Sequence, residues 1–315
     1  MQLQKISAPL IVLIGPTAIG KTSLSLDLAA EFQCEIISVD SMQVYRHMDI
    51  GTAKASLAER QFVPHHLIDV VDPDQHYDAA KYAKDARKAI AKIHGRGKIP
   101  LLTGGTGLYL RAVLYGIFPG APESLHYREK LKIQAIEEGL DRLHEDLSRL
   151  DPQTASRLHK NDGMRIIRAL EVYYSTGKPL SVHLMEHQKS VQTSLYENVV
   201  EFGLTMERAE LYNRINQRCE EMVQAGLEEE VKKLLHMGYG EGLPAMKSIG
   251  YRHMMQYINN YWQHTEMMNF LKRDTRRYAK RQYTWFSKNK AIQWFTVTDG
   301  DSLKKDLRLW LQARL

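Results

Sequence analysis

The segment IVLIGPTAIGKT at residues 11–22 decides the fold of this chain. Its leading apolar residues predict a short buried strand, and they run directly into G-x-x-x-x-G-K-T, the pattern of a phosphate-binding loop (P-loop). In a P-loop the glycines let several backbone N–H groups point at one anion, the lysine adds positive charge, and the threonine hydroxyl can hold a Mg²⁺ ion. A helix predicted over residues 22–32 directs the positive end of its dipole at the same anion. The segment therefore predicts a diphosphate or triphosphate site and leaves open which of the two binds.

The residues assigned to this phosphate site form one short loop: Gly15, Pro16, Thr17, Ala18, Ile19, Gly20, Lys21 and Thr22. Thr22 is the predicted ligand for Mg²⁺, the one cofactor that the sequence implies. P-loop patterns also arise by chance in unrelated loops, and the predicted strand before and helix after are the context that supports a true site.

Composition describes a globular chain in a reducing compartment. Its 315 residues suffice for one large or two smaller domains, with 43% hydrophobic and 25% charged residues. Two cysteines, Cys34 and Cys219, cannot build a disulfide framework or a cysteine-rich zinc site. The first core strand is predicted within ten residues of the start and no apolar run reaches membrane-spanning length. We expect a cytoplasmic protein without a signal peptide or membrane contact.

Alternating strands and helices fill the first third of the sequence and predict a parallel sheet. Strands are predicted at 35–40, 65–69 and 99–103, with a helix at 78–94. Ligands bind such sheets beyond the carboxyl ends of the strands. The P-loop, Asp40 and Thr106 all follow strands, so we expect them to converge on one crevice.

The composition changes near residues 119–122, where prolines and glycine punctuate the chain. Helix follows helix until strand character returns at 198–204. Helices are then predicted at 207–226, 227–237, 265–287 and 302–314, with a strand at 291–297. The predicted fold is α/β: a P-loop NTPase-like parallel sheet flanked by helices at 1–120 and 198–315, interrupted by an all-helical insertion at 121–197.

Net charge is +6, and part of it is concentrated at residues 273–281, where five basic residues stand beside aromatic ones. Cations for phosphates and rings for bases are what single-stranded nucleic acid needs. A solvated helix face over an aromatic core explains the same segment equally well.

Asp40 is the predicted key acid, because a carboxylate after the strand next to a P-loop either helps hold Mg²⁺ or acts as a general base. Ser41 and Gln43 can hydrogen-bond the edge of a base. The pair His65 and His66 has no third ligand at metal spacing, so a structural or substrate-positioning role is expected.

Seven blocks, in this order over nearly the whole chain, resemble those of the bacterial tRNA dimethylallyltransferases (isopentenyl-tRNA transferases), in their short form without a zinc-finger extension. They are GPTAIGKT at 15–22, DSMQVY at 40–45, MDIGTAK at 48–54, GGTGLY at 104–109, RALEV at 168–172, IGY at 249–251 and RRYAKRQ at 276–282. Two positions depart from the family pattern: His47 stands where the loop usually has glycine, and Ser287 where an arginine often ends the basic helix.

The resemblance implies transfer of a dimethylallyl group from dimethylallyl diphosphate to N6 of the adenosine 3′-adjacent to a tRNA anticodon, with release of pyrophosphate. Asp40 would be the general base, and Lys21 and Arg218 would stabilise the departing diphosphate. The partners implied are the tRNA anticodon stem-loop and dimethylallyl diphosphate, bound by a monomer. The residues implied to bind tRNA are Asp40, Ser41, Met42, Gln43, Thr106, Arg128, Met164, Arg165, Ile166, Ile167, Arg168, Lys247, Ser248, Ile249, Gly250, Tyr251, Arg252, Lys280, Arg281 and Gln282.

Two other functions stay open on the residues alone. A P-loop kinase or nucleotide hydrolase acting on ATP explains the P-loop and Asp40 but leaves the block at 40–54 unexplained. A non-catalytic RNA-binding module would use the basic helix and have no need of Asp40. The helical insertion likewise serves either to grip tRNA or as a dimerisation or purely structural element.

Overall fold

The computed structural model of the chain describes residues 6–117, 125–190 and 194–314. It divides into two compact units, one formed by residues 1–114 and 195–315 and the other by residues 115–194. The second unit begins and ends somewhat earlier than the insertion predicted at 121–197.

A six-stranded sheet forms the centre of the first unit, with strand order β3-β2-β4-β1-β5-β6. In chain order the strands are β1 (Leu10–Ile14), β2 (Cys34–Val39), β3 (His65–His66), β4 (Ile99–Gly104), β5 (Val199–Thr205) and β6 (Gln293–Thr296). All pairs are parallel. Every residue of β1 and β2 is buried, as expected for parallel strands covered on both faces.

The register of the sheet brings the ends of three strands together. Gly104 pairs with Ile14 on one side and with Val39 on the other. A Cβ atom on Gly104 would lie 2.2 Å from the carbonyl oxygen of Val39, so only glycine permits this approach. The loops that follow β1, β2 and β4 therefore leave the sheet side by side at its carboxyl edge.

The helices, in chain order, are α1 (Lys21–Glu31), α2 (Leu57–Phe62), α3 (Ala79–His94), α4 (Gly107–Tyr115), α5 (Leu125–Glu137), α6 (Leu140–Leu150), α7 (Pro152–Ala155), α8 (Gly163–Thr176), α9 (Leu180–Ser190), α10 (Arg208–Gln224), α11 (Leu227–His236), α12 (Tyr251–Ile258), α13 (His264–Phe286) and α14 (Gly300–Gln312). α3 shows how local sequence forms them. The Asp78 carboxylate accepts hydrogen bonds from the N–H groups of Ala80 and Lys81 (2.9 and 2.8 Å) at its start. None of the helices in the described parts of the chain is long and apolar enough to cross a membrane.

The second unit is helical in its described residues, 125–190, and contains α5 to α9. Its core is apolar and consists of Leu131, Leu143, Leu147, Ala155, Ile166, Ala169 and Leu170. The unit also contains a buried ion-pair partner: Glu171 is fully buried and contacts Arg128 and Arg168 at 3.0 and 3.1 Å. The Arg128 pair joins α5 to α8, and the Arg168 pair lies within α8.

The predicted α/β fold with a parallel sheet is confirmed, two predicted strand boundaries are wrong, and two short helices were missed. The strand predicted at 65–69 ends after His66, because Leu67 and Asp69 adopt φ values of 61° and 56° that no strand can contain. The last strand stops before Val297, which begins a 3₁₀ turn. The short helices α2 and α12 were not predicted.

Candidate active site

The P-loop connects β1 to α1 and curls around the start of that helix. Gly20 adopts φ 103° and Ala18 φ 64°, so two residues of the loop are left-handed. The Lys21 ammonium lies back over the loop and donates to the carbonyl oxygens of Gly15 (3.0 Å) and Pro16 (2.8 Å). The Thr22 side chain lies at the exposed mouth of the loop. This is the geometry of a backbone cradle with one cation, and it suits a phosphate group.

A cavity of about 530 Å³ opens above the P-loop, and its walls belong to the first unit. The catalytic residues predicted from the sequence, Asp40, Lys21 and Arg218, all line it. Other lining residues come from regions that are far apart in sequence, among them the P-loop, the loop after β2, the end of β4 and the helices α10 and α13. The predicted convergence of the P-loop and Asp40 is therefore observed.

The Asp40 carboxylate is held by its own loop. Its Oδ1 atom accepts hydrogen bonds from the backbone N–H groups of Met42 (2.8 Å) and Gln43 (3.3 Å). Its second oxygen has no hydrogen-bond partner among the residues that the structure describes. The arrangement orients the carboxylate while leaving one oxygen free to accept a proton.

Positive charge is concentrated on the wall beside Asp40. Burial and, to a smaller extent, the nearby Arg218 guanidinium lower the pKa of Lys21 to about 7, and the Asp40 carboxylate partly opposes both effects. Burial also lowers the pKa of Arg218, again opposed by Asp40. The site therefore contains two partly desolvated cations with the Asp40 carboxylate near both. Because this leaves an excess of positive charge, a bound polyanion would be stabilised strongly.

The loop after Asp40 forms a second, polar wall. Gln43 Oε1 accepts from the Ser38 hydroxyl at 2.8 Å, and its Nε2 group donates to the carbonyl oxygens of Thr52 (3.3 Å) and Ala53 (3.2 Å). Thr106 Oγ1 accepts from the N–H group of Ser41 at 3.1 Å. Both Nε2 hydrogens of Gln43 are used in these contacts, whereas its Oε1 atom has a second lone pair that can accept a hydrogen bond from the edge of a base in the cavity.

Gln282 has a different role from the one predicted. Its side chain is buried, with Oε1 accepting from the N–H group of Thr17 at 2.9 Å and Nε2 donating to the carbonyl oxygen of Gly105 at 3.0 Å. A Cβ atom on Gly105 would lie 2.0 Å from Nε2, so glycine is required there. Both ends of the amide bond to backbone groups of the protein, so this buried side chain connects α13 to the P-loop and to the turn after β4.

Some residues of the basic segment at 273–281 make contacts within the protein, and others are exposed to solvent. Asp274 accepts from Arg252 (2.6 Å), Arg273 (3.0 Å) and His253 (3.2 Å), and these hydrogen bonds outweigh its burial and lower its pKa to about 2. Burial lowers the pKa of His253 to about 4. Lys280, Arg281 and Lys247, by contrast, are exposed and can contact a nucleic acid.

The remaining residues predicted to bind tRNA differ in exposure. Tyr251 in the first unit and Ile166 in the second are fully buried, so their side chains offer no surface to RNA in this structure. Ser248 donates to Ala245 O within its own turn, and Ile249 and Gly250 are also at least partly covered. In the second unit Met164 and Arg165 are exposed, Ile167 is partly buried, and Arg128 and Arg168 carry the ion pairs with Glu171.

The structure adds cavity residues that sequence reasoning missed. Tyr278 on α13 lines the cavity, its hydroxyl contacts the side chains of Thr106 and Gln282, and burial raises its pKa. Arg214, one helical turn before Arg218, and Gln217, directly before it, also line the cavity. In the sequence, only its place among the aromatic residues of the basic segment pointed to Tyr278. That pattern does not distinguish a core residue from a residue of the site.

The two departures from the family pattern are accommodated locally. His47 is exposed and adopts φ 66°, so the loop keeps the left-handed backbone that glycine would supply. Ser287 is the exposed residue that ends α13, and its hydroxyl donates to the carbonyl oxygen of Thr284 at 3.3 Å.

Comparison with known proteins gives one consistent result. A family profile described as IPP transferase matches residues 43–289, and another described as isopentenyl transferase matches residues 8–71. The chain is 51% identical over 313 residues to a tRNA dimethylallyltransferase from Desulfotalea psychrophila, covering 99% of both proteins. It is 46% identical to a protein of the same name from Carboxydothermus hydrogenoformans, covering 95% of both.

Solved structures agree with these relatives. A tRNA isopentenylpyrophosphate transferase from Bacillus halodurans superposes with a TM-score of 0.72 at 39% identity, covering 98% of both chains. A eukaryotic dimethylallyltransferase acting on tRNA superposes with a TM-score of 0.77 at 28% identity, covering 92% of this chain and 74% of the other.

Proposed function

The chain belongs to the IPP transferase family, and from this premise we propose that it transfers a dimethylallyl group from dimethylallyl diphosphate to tRNA. The acceptor is the exocyclic N6 of the adenosine 3′-adjacent to the anticodon, and the second product is pyrophosphate. One observation carries the proposal: the P-loop with its lysine and the oriented Asp40 carboxylate line the same cavity.

The chemistry requires a base and a stabilised leaving group. The N6 lone pair is delocalised into the ring, so the amine is a weak nucleophile that becomes acidic as the N–C bond forms. As N6 attacks C1 of the dimethylallyl group, the C1–O bond breaks and Asp40 accepts the N6 proton. Lys21, Arg218 and the P-loop N–H groups stabilise the charge that builds on the diphosphate. Removal of one such donor typically lowers the rate by about 10²–10³.

Mg²⁺ fits the residues present. In the described part of the chain no three His, Cys, Asp or Glu side chains cluster as a dedicated metal site. Mg²⁺ usually keeps several waters and takes one or two protein ligands together with phosphate oxygens. The exposed Thr22 hydroxyl at the mouth of the P-loop provides such a ligand, and the metal would neutralise charge on the diphosphate.

The acceptor base has to leave the anticodon stack before N6 can react, which costs a few kcal/mol and needs a pocket that reads the base. We assign this reading to Ser41, Met42, Gln43 and Thr106: Gln43 lines the cavity, and Thr106 Oγ1 accepts from the N–H group of Ser41 in the same loop. The exposed Lys247, Lys280 and Arg281 bind RNA phosphates in the first unit, and Met164 and Arg165 contact the stem-loop from the second.

An ATP-dependent kinase or hydrolase is disfavoured by the strands beside the P-loop strand. In P-loop NTPases an acidic residue of the Walker B strand helps hold Mg²⁺. Here β4 and β5 flank β1, and they end in Thr103-Gly104 and Leu204-Thr205, without an acid. The acid of this site, Asp40, follows β2 instead.

The test is a product assay. The protein is mixed with Mg²⁺, dimethylallyl diphosphate and an adenosine-rich anticodon stem-loop, and the digested RNA is analysed by mass spectrometry for N6-dimethylallyladenosine. A parallel reaction contains ATP in place of the prenyl donor. We expect the modified nucleoside in the first reaction and no phosphate release in the second. ATP turnover without the modified nucleoside would contradict the proposal.

A further inference from the structure

The carboxylate of Glu230, on α11, collects four hydrogen bonds from two other parts of the first unit. Its Oε2 accepts from the backbone N–H groups of Asp49 (2.9 Å) and Ile50 (2.8 Å). Its Oε1 accepts from the N–H group of Gly51 (3.1 Å) and from the Tyr251 hydroxyl (2.6 Å). Hydrogen bonds to a charged acceptor are roughly twice as strong as neutral ones, so this anchor holds three consecutive backbone groups.

The Tyr251 ring completes the anchor by packing directly on Gly51. A Cβ atom at Gly51 would lie 2.5 Å from the ring, so glycine is required for the contact. Tyr251 itself is fully buried. We call Glu230 and Tyr251, with their contacts to residues 49–51, the clasp.

The clasped segment leads straight into the acceptor wall of the cavity. The next two residues, Thr52 and Ala53, line the cavity, and their carbonyl oxygens accept from the Gln43 amide at 3.3 and 3.2 Å. The buried Lys54 ammonium donates to Tyr45 O at 2.8 Å and ties the far end of the segment back to the same loop. The orientation of the Gln43 amide therefore depends on where the clasp places residues 49–53.

Other elements hold the donor side of the cavity. Gln282 supports the P-loop at Thr17, and Lys21 bonds to P-loop carbonyls, both through contacts separate from the clasp. A change in the clasp should thus alter the acceptor wall and leave diphosphate binding nearly unchanged.

We propose that Glu230 is a positioning residue for the acceptor: through the clasp it sets the place of residues 49–53 and so orients Gln43 toward the base to be modified. The inference rests on the proposed function. It assigns to Tyr251 a role inside the protein in place of the RNA contact that the sequence suggested.

Glu230→Gln separates the two sides of the site. An amide has one acceptor oxygen, so its N–H₂ group has to face at least one backbone N–H donor, and at least one of the four bonds is lost. Tyr251→Phe keeps the ring packing and removes one hydrogen bond. Glu230→Asp keeps the charge on a shorter side chain. The matched control is Glu229→Gln, because Glu229 is an exposed carboxylate on the same helix.

The measurements are kcat and KM for the stem-loop, KM for dimethylallyl diphosphate, the Kd of pyrophosphate with Mg²⁺, and the unfolding temperature. For Glu230→Gln we expect kcat/KM for RNA to fall at least tenfold while donor KM and pyrophosphate Kd stay within twofold of wild type. Tyr251→Phe should shift the same parameters less, Glu230→Asp should recover part of the loss, and Glu229→Gln should match wild type.

Three results would overturn the inference. In the first, Glu230→Gln leaves kcat/KM for RNA unchanged. In the second, the kinetic parameters for donor and acceptor worsen equally, as a general loss of structure would cause. If Glu230→Gln does not fold, Tyr251→Phe is the deciding variant, and wild-type RNA kinetics in Tyr251→Phe would contradict the proposed role of the clasp. In the third, the wild-type protein makes no dimethylallyl product, and this result refutes both the proposed function and the inference. If wild-type turnover is normal and the variants are unaffected, only the inference is refuted.

Discussion

Replacement of Gln282 by leucine tests how the P-loop is supported. The side chain bonds to Thr17 N and Gly105 O, two backbone groups that belong to different strand-to-helix turns. Leucine has nearly the same size but satisfies neither group. A buried polar group left without a partner costs about 1–3 kcal/mol, so the two together predict a loss of about 2–6 kcal/mol of unfolding free energy.

The functional effect should appear first on the donor side, because Thr17 belongs to the P-loop. We expect the Kd of pyrophosphate with Mg²⁺ to rise by at least tenfold, since a loop that has lost its support no longer holds its N–H groups in register. Unfolding free energy is measured by urea denaturation and the Kd by calorimetry. Gln312→Leu, at an exposed position near the end of α14, is the matched control and should change neither value.

Equal stability and equal pyrophosphate affinity in Gln282→Leu and wild type would refute this reasoning. So would a loss of RNA affinity with the donor site intact, because that result would restore Gln282 to the role of an RNA contact.

Three further predictions concern charge and backbone. Because the pKa of Lys21 is about 7, the charged ammonium is lost as pH rises through 7. The affinity for pyrophosphate, measured by calorimetry, should therefore fall about tenfold per pH unit above 7. The Lys21→Arg variant stays charged over this range, so it provides the baseline and should lack this additional pH dependence. His253 has a pKa of about 4 when folded and about 6.5 when unfolded, so the unfolded chain binds the proton first and stability is lost as pH falls from 6.5 to 4. The loss is about 3 kcal/mol by urea denaturation, and a slope that persists in His253→Gln would assign it to another group. His47→Gly should raise the unfolding free energy by about 0.5–1 kcal/mol, because glycine relieves the left-handed strain at φ 66° but loses more chain entropy, while His47→Ala should show no gain.

The parts of the fold and site that the sequence revealed are local. The P-loop is recognisable because the strand, glycine-rich turn and helix follow one another within residues 10–31, and each obeys a short-range rule. The position of Asp40 at the cavity followed from one rule about parallel sheets, since the loops after all strands of such a sheet leave at its carboxyl edge; β4 lies between the strand of the P-loop and that of Asp40. The family was identified from short sequence blocks, and the comparisons confirm the family.

The missed parts depend on contacts between distant residues. Gln282 and Thr17 are 265 positions apart, and a polar residue in a basic helix is equally compatible with a buried support and an RNA contact. The sequence likewise does not show that Tyr251, on α12, is buried and packs against Gly51. No periodicity or composition encodes such pairings, because they arise only when the helices pack on the loops.

The central claim is that Asp40 removes the N6 proton during dimethylallyl transfer, and single-turnover kinetics of Asp40→Asn test it most directly. Asparagine can keep the hydrogen bonds to Met42 N and Gln43 N, so the loop should stay in place while the base is lost. With saturating donor and stem-loop RNA, we predict a rate at least 10² below wild type, RNA and pyrophosphate affinities within about threefold, and unchanged behaviour in the exposed control Asp27→Asn. A single-turnover rate equal to that of wild type in Asp40→Asn would contradict the account.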